Sequence, residues 1–197
     1  MTELAWASDY GTSQKATHEA AGWPIIRIPN VVAGRLELAD LKYATRPEQL
    51  RSDQALRPGD FLVVRTNGSR DLIGRAAVVE SEFGRPHFHA SYLIRFRLKG
   101  SILLWRWLSI IWEAPPLRRQ LEAMAATSAG QYNLNLRSLA TLRVPIPPED
   151  MLPNLLAHLE LRLSSVNELR FEIVRSLKRA ARLRDAVLSQ AFSGRLS

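Results

Sequence analysis

Residues 152–190 read LPNLLAHLELRLSSVNELRFEIVRSLKRAARLRDAVLSQ, and this stretch decides the predicted architecture. Apolar residues recur there at every seventh position, and a second, interrupted apolar row runs beside them. Such spacing, sustained over more than four heptads, is typical of a long helix with one broad apolar stripe. The sequence therefore predicts a helix that begins near Pro153, a residue tolerated in a first turn, and extends to Gln190. Gly194 is expected to close it.

A helix with such a stripe needs a partner helix, because nothing on the helix itself can shield the apolar side chains from water. We expect a second copy of the chain to supply the partner, giving a homodimer. The residues expected to form the pairing surface share this stripe: Leu152, Leu159, Val166, Leu169, Ile173, Leu177, Ala180 and Val187.

The rest of the chain has a different sequence pattern and is expected to form a separate domain. Residues 1–148 mix short apolar runs with turn-forming residues, which predicts an α+β fold. Pro145, Pro147 and Pro148 mark the boundary, since clustered prolines interrupt helices and strands alike. Residues 149–197 then form the helical part.

Within the front domain, apolar runs, alternation and turn signals predict individual elements. Asn67-Gly68 is a strong signal for a tight hairpin turn between the apolar runs that flank it. Strands are predicted at residues 61–65, 75–80 and 92–98, and helices at residues 101–112 and 117–124. The third strand alternates apolar residues with a mostly polar face that holds Arg95 and Arg97.

Charge and composition narrow the class of partner. The chain has 27 Lys and Arg against 19 Asp and Glu, a net charge of +8, and a sequence pI near 10.5. An anionic partner is therefore expected, and nucleic acid, an acidic protein and a membrane surface all fit the charge alone. The absence of cysteine, of a basic-then-apolar leader and of an apolar run long enough to cross a bilayer predicts a soluble cytoplasmic protein.

Motifs for catalysis are scarce. His87 and His89 can place two imidazoles on one strand face, but no third ligand is evident beside them, so a polar loop or a DNA-facing strand end is the favoured interpretation. Loops that bind a dinucleotide or ATP phosphates are missing from the sequence. We expect no catalytic residues, no metal and no cofactor. A metal-dependent nuclease that uses the two histidines is the weaker alternative.

Three glycine-containing polar segments are candidates for contact with nucleic acid: residues 10–15, 65–75 and 130–135. Their hydroxyl, amide and basic groups can donate hydrogen bonds to phosphates or to base edges. Solvated turns have a similar composition, so that alternative stays open for each segment. The side chains expected to contact DNA are Tyr10, Thr12, Ser13, Lys15, Asn67, Ser69, Arg70, Arg75, Gln131, Tyr132 and Asn133.

Taken in order along the chain, several segments resemble a known family, the DNA-specificity subunits of type I restriction–modification systems. The resemblance adds Arg27 to the expected DNA contacts, and the chain looks like a half-length form of such a subunit. The segments that carry it are residues 10–15, 24–30, 34–43, 58–60, 67–69, 72–77, 130–134, 144–148 and 184–196.

The resemblance implies a fold and a mechanism. Residues 1–148 would be a mixed α/β target-recognition domain that reads one part of a bipartite DNA site. Residues 149–197 would be a spacer helix that pairs as an antiparallel coiled coil and docks adenine methyltransferase subunits. Motor–nuclease subunits would join for cleavage. A free-standing DNA-binding regulator, or an anti-restriction protein that uses the same fold, is the alternative.

Overall fold

The computed structural model describes residues 1–19, 21–32, 34–128 and 130–193. Contacts between residues divide the chain into two units, Met1–Leu152 and Pro153–Ser197. The strands are β1 (Ala5–Tyr10), β2 (Ala16–Thr17), β3 (Pro24–Ile26), β4 (Val31–Val32), β5 (Arg35–Leu36), β6 (Lys42–Ala44), β7 (Asp60–Val64), β8 (Thr66–Asn67), β9 (Ala76–Val78), β10 (Phe88–His89), β11 (Leu93–Leu98), β12 (Ala126–Ser128) and β13 (Gln131–Asn133). The α-helices are α1 (Ile102–Ile111), α2 (Pro115–Met124), α3 (Leu136–Ala140) and α4 (Leu152–Phe192).

An antiparallel sheet in the order β1-β11-β7-β9 forms the centre of the first unit. Its inner strands are β11 and β7, and all five residues of β7 are buried. The three strands predicted from apolar runs and alternation correspond to β7, β9 and β11, within two residues at each end. The predicted α+β fold, ending in a long helix, is confirmed.

The smaller sheets connect segments that are distant in the chain. One has the order β10-β3-β6-β2, another has β12-β13-β8, and β4 pairs with β5. The prediction that Asn67-Gly68 closes a tight hairpin is wrong. β7 and β9 do pair with each other, but Asn67 between them belongs to β8 and lies opposite Tyr132 in β13. A local turn signal cannot reveal such a distant pairing.

The main core packs one face of the central sheet against α1 and α2. Trp112 is completely buried there, with its ring edge-on to Phe61 at 4.8 Å and its indole N–H donating to the carbonyl of Gly74 at 2.7 Å. The two predicted helices are confirmed as α1 and α2, although α2 begins at Pro115 rather than at Leu117. Proline fits there because the first turn of a helix does not use its N–H groups.

The second unit is the helix α4, which has 41 residues and is about 62 Å long at 1.5 Å per residue. The helix predicted from Pro153 to Gln190 is therefore confirmed, with Pro153 in its first turn. Gly194, which was expected to end it, lies outside the described residues. Among the described residues, no helix is both long enough and apolar enough to cross a membrane.

Candidate nucleic-acid interface

The segment that follows β1 is held against the protein backbone. Thr12 donates its N–H to the carbonyl of His89 at 2.9 Å, and its own carbonyl accepts from Ser91 at 2.8 Å. A Cβ added to Gly11 would lie 2.0 Å from the His89 carbonyl oxygen. Glycine at position 11 therefore permits close packing against β10. Ser13 and Lys15 beyond it are exposed.

The sheet formed by β8 and β13 brings two of the predicted segments together. Asn67 pairs with Tyr132, and Thr66 pairs with Asn133. The Thr66 hydroxyl donates to the Asn133 amide oxygen at 2.8 Å. Tyr132 is partly buried against the main core, whereas Gln131 is exposed. The strands β8 and β13, separate in the sequence, thus form one polar ribbon.

Tyr10 connects this ribbon to the end of β1. The guanidinium of Arg65 lies 4.5 Å from the centroid of the Tyr10 ring, a cation–π contact. The Tyr10 hydroxyl also accepts a hydrogen bond from the N–H of Leu136 at 3.5 Å. The carbonyl of Arg65 accepts from Leu134 at 2.7 Å. Tyr10 and Arg65 therefore join the first predicted segment to the other two.

Other predicted contact residues lie on the turn between β8 and β9. The Asn67 amide oxygen accepts from the N–H of Ser69 at 2.7 Å, so these two residues form a local side-chain turn. Arg70 is exposed and pairs with Glu122 of α2, with 3.2 Å between its Nη2 and the carboxylate. Arg75 is half-buried.

Arg27 is the predicted contact that the structure does not bring to this region. Its Nη2 donates to the carbonyl oxygen and to the carboxylate of Asp40, each at 3.1 Å. Its side chain is only 13% exposed. The guanidinium is engaged in holding Asp40, and the DNA contact expected from Arg27 stays a prediction.

His87 and His89 also differ from expectation, because both side chains are buried rather than in a polar loop or on a DNA-facing strand end. The His87 ring stacks on Phe83 with 4.0 Å between centroids, and burial lowers its pKa. Burial lowers the pKa of His89 to about 3. In the described part of the chain, no group of three His, Cys, Asp or Glu residues is placed to hold a metal ion.

A cluster of buried ions beneath the end of β1 was not anticipated. Arg95 of β11 is 4% exposed. It pairs with Asp9 through Nε and Nη2, and its Nη1 donates to the carbonyl of Gln54 at 3.0 Å. Arg97 donates to the fully buried Asp60 at 2.8 Å, and this hydrogen bond raises the pKa of Arg97. The sequence signal was two arginines at alternate positions of an otherwise apolar strand, which we interpreted as a polar face.

The residues of the predicted pairing stripe on α4 differ in exposure. Leu152 is buried, and Leu159 is half-buried. The others are exposed: Val166, Leu169, Ile173, Leu177, Ala180 and Val187. Ile173 is 58% exposed and Leu177 is 65% exposed, so the middle of the helix presents large apolar side chains to solvent.

Comparison with known proteins identifies relatives that match most of the chain. The specificity subunit of the type I restriction enzyme EcoKI, from Escherichia coli (strain K12), is 25% identical over 187 residues, which are 95% of this chain and 40% of that protein. The StySPI specificity subunit of Salmonella potsdam is 29% identical over 172 residues, which are 82% of this chain and 37% of that protein. No protein-family model matches the chain.

A solved structure shares the fold. A chain from a study of complex assembly and conformational transition in the type I R-M system aligns with 99% of this chain and 45% of its own, with a TM-score of 0.68 and 18% identity. Sequence and fold thus agree over nearly the full length. The chain is a homologue of type I restriction enzyme specificity subunits, and it spans 37–40% of the length of the curated relatives it matches.

Proposed function

We propose that this chain recognises a DNA sequence as the specificity component of a type I restriction–modification complex. The observation that carries the proposal is the similarity to two specificity subunits, of which the longer match covers 95% of this chain. A net charge of +8 supports a polyanionic partner. The polar ribbon of β8 and β13, with Tyr10 and Arg65 beside it, supplies amide, hydroxyl and basic groups suited to DNA contact.

The chain would contribute recognition rather than chemistry. Adenine methylation would come from methyltransferase subunits, and cleavage would come from motor–nuclease subunits. The accessible imidazole pair that a nuclease would need is not supported, since His87 and His89 are buried. We propose that this role is carried out in the cytoplasm, where the DNA and the partner subunits would be found.

We also propose that two copies pair through α4. The exposed apolar side chains in the middle of that helix support the pairing, because helices hide such stripes against one another. A symmetric dimer would carry two identical recognition domains, and each would read one half of a bipartite site.

Co-expression with a type I methyltransferase tests the proposed function. We expect a stable complex that methylates adenine at one defined sequence in plasmid DNA, with no methylation at that sequence when this chain is left out. A complex that forms but methylates nothing, or no complex at all, would contradict the proposal. Site-specific DNA binding by the chain without any methyltransferase complex would instead favour the free-standing regulator.

A further inference from the structure

Two basic side chains from separate segments share one pocket at the edge of the first unit. Lys15 directly precedes β2, and Arg46 follows β6. The two strands pair antiparallel with Ala16 opposite Ala44, which brings Lys15 and Arg46 to the same end of the sheet. With Gln14 and Thr45, they line a pocket of about 430 Å³.

Hydrogen bonds join residues 14–15 to residues 45–46 at this pocket. The Lys15 carbonyl accepts from both the N–H and the hydroxyl of Thr45, at 3.2 and 3.0 Å. The Gln14 amide oxygen accepts from the N–H of Arg46 at 3.0 Å. These bonds use the backbone atoms of Lys15 and Arg46, while both residues are exposed.

The strand β6 that leads to Thr45 and Arg46 is fixed by close packing. Ala44 is 4% exposed, and it donates its N–H to the carbonyl of Trp23 at 2.8 Å. A Cβ added to Gly22 would lie 2.0 Å from the Ala44 carbonyl oxygen, so the backbones pass in direct contact. The backbones that carry Lys15 and Arg46 are therefore fixed before any ligand arrives, which lowers the entropy lost on binding.

We propose that Lys15 and Arg46 bind the same phosphate group of the DNA backbone in this pocket. The four lining residues carry two positive charges and no carboxylate. Arginine offers a planar set of N–H donors that suits a phosphate, and lysine adds a compact positive charge. The inference rests on the proposed function, because it names a contact of the same DNA interface.

Such a contact would position the protein without reading sequence. Phosphate contacts fix the register and orientation of a protein on the duplex, and base contacts then supply specificity. Lys15 is joined through Gln14 to Thr12, whose hydroxyl accepts from the Gln14 N–H at 3.3 Å. A phosphate held here would therefore set where Thr12 and Ser13 meet the DNA.

The salt dependence of DNA binding tests the proposal. Fluorescence anisotropy would follow the full chain binding a labelled mixed-sequence duplex over a series of KCl concentrations. Each phosphate contact contributes a slope of roughly 0.9 to the plot of log affinity against log salt. Because the remaining cation still holds the phosphate, Lys15→Ala and Arg46→Ala should each keep most of the wild-type slope. The double variant should lower the slope by roughly 0.9 and weaken binding roughly tenfold or more.

Three outcomes would overturn the inference. If each single variant lowers the slope by roughly 0.9, with additive losses in the double variant, the two residues hold different phosphates. If the double variant binds as the wild type does, the pocket is not at the DNA. Arg35→Ala is the matched control, since exposed Arg35 pairs with Glu37 outside the pocket. If that variant loses as much DNA affinity as the double variant, only the net charge of the protein matters.

The same titration separates this inference from the proposed function. A wild-type chain that binds no duplex would contradict both. A wild-type chain that binds, with variants that behave identically, would contradict only the phosphate pocket. Circular dichroism of each variant would check that the fold is kept, which we expect because both substituted residues are exposed.

Discussion

Asp60 is the most deeply buried charge of the ion cluster beneath β1. It begins β7 with none of its side chain exposed. Its two carboxylate oxygens accept hydrogen bonds from Arg97, and one also accepts from the N–H of Arg57 at 2.9 Å. Arg95 approaches to 3.6 Å. The negative charge of this carboxylate therefore offsets the positive charges of two guanidinium groups that are largely shielded from water by the sheet.

Removing this carboxylate should destabilise the fold strongly, because it leaves those cations without a buried counter-charge. Asp60→Ala is expected to lower the free energy of unfolding by about 3 kcal/mol, the lower end of the usual range for broken buried pairs, since the Arg97 side chain keeps 24% exposure. Urea denaturation measures the effect. Asp53→Ala is the control: Asp53 pairs with Arg51 on the surface, and equal losses from the two variants would contradict the assigned role of burial.

His89 should make stability depend on pH. Its pKa in the folded protein is about 3, against 6.5 for an unperturbed histidine. The unfolded chain therefore takes up a proton near pH 6.5 while the folded protein does not, so stability falls as pH drops below that value. The limiting slope for one such group is about 1.4 kcal/mol per pH unit.

Urea unfolding between about pH 7 and about pH 5 checks this prediction, and it avoids the range in which most carboxylates titrate. His89→Gln should show a shallower fall in stability than the wild type, whatever its absolute stability. His87 remains in both proteins, so the difference isolates His89. If the free energy of unfolding falls equally with pH in the two proteins, the prediction is contradicted.

At the scale of elements, the approach of β1 to β10 depends on Gly11. The Cβ of Gly11→Ala would meet the His89 carbonyl at 2.0 Å, so the backbone must move. We expect a loss of about 1–3 kcal/mol in the free energy of unfolding, as for other overpacked sites. DNA affinity should fall as well, because the Thr12–Lys15 segment is displaced.

Gly68→Ala provides the matched control for this substitution. No heavy atom lies within 4 Å of a Cβ added at Gly68. Thermal unfolding of the two variants side by side should show a lower melting temperature for Gly11→Ala alone. Equal melting temperatures would mean that the contact with His89 does not constrain the loop.

Elements with a local signal were predictable from the sequence. β7 and β11 follow from apolar runs and alternation, and α4 follows from its heptad spacing, because each pattern repeats within one segment. The pairing of Asn67 with Tyr132 was not predictable, since the two residues are far apart in the chain. The sequence of neither segment indicates which strand it will pair with.

The candidate site was predictable only in part, for the same reason. Glycine and polar composition marked the segments around Tyr10, Asn67 and Tyr132, and the structure places them around one ribbon. Arg46 was not predicted because it is brought beside Lys15 by the pairing of β2 with β6, which neither segment signals on its own. Arg95 was misinterpreted because a buried ion pair and a solvated face give the same alternation.

At the scale of the whole molecule, α4 predicts the oligomeric state. Light scattering should give twice the chain mass of 22.2 kDa, because pairing removes the exposed apolar stripe from water. Ile173→Asp should shift the protein toward monomer. Lys178→Asp, which the helical repeat places on the far side of α4, should leave the dimer intact. A monomeric wild type, or equal behaviour of the two variants, would argue against pairing through this stripe.

Sequencing that detects methylated adenine tests the central claim most directly. DNA would come from cells that carry this chain together with its methyltransferase and with no other specificity subunit. A homodimer with two identical recognition domains should direct methylation to an interrupted inverted repeat, with one modified adenine in each half on opposite strands. Methylation at an asymmetric bipartite sequence, or no methylation that depends on this chain, would contradict the account.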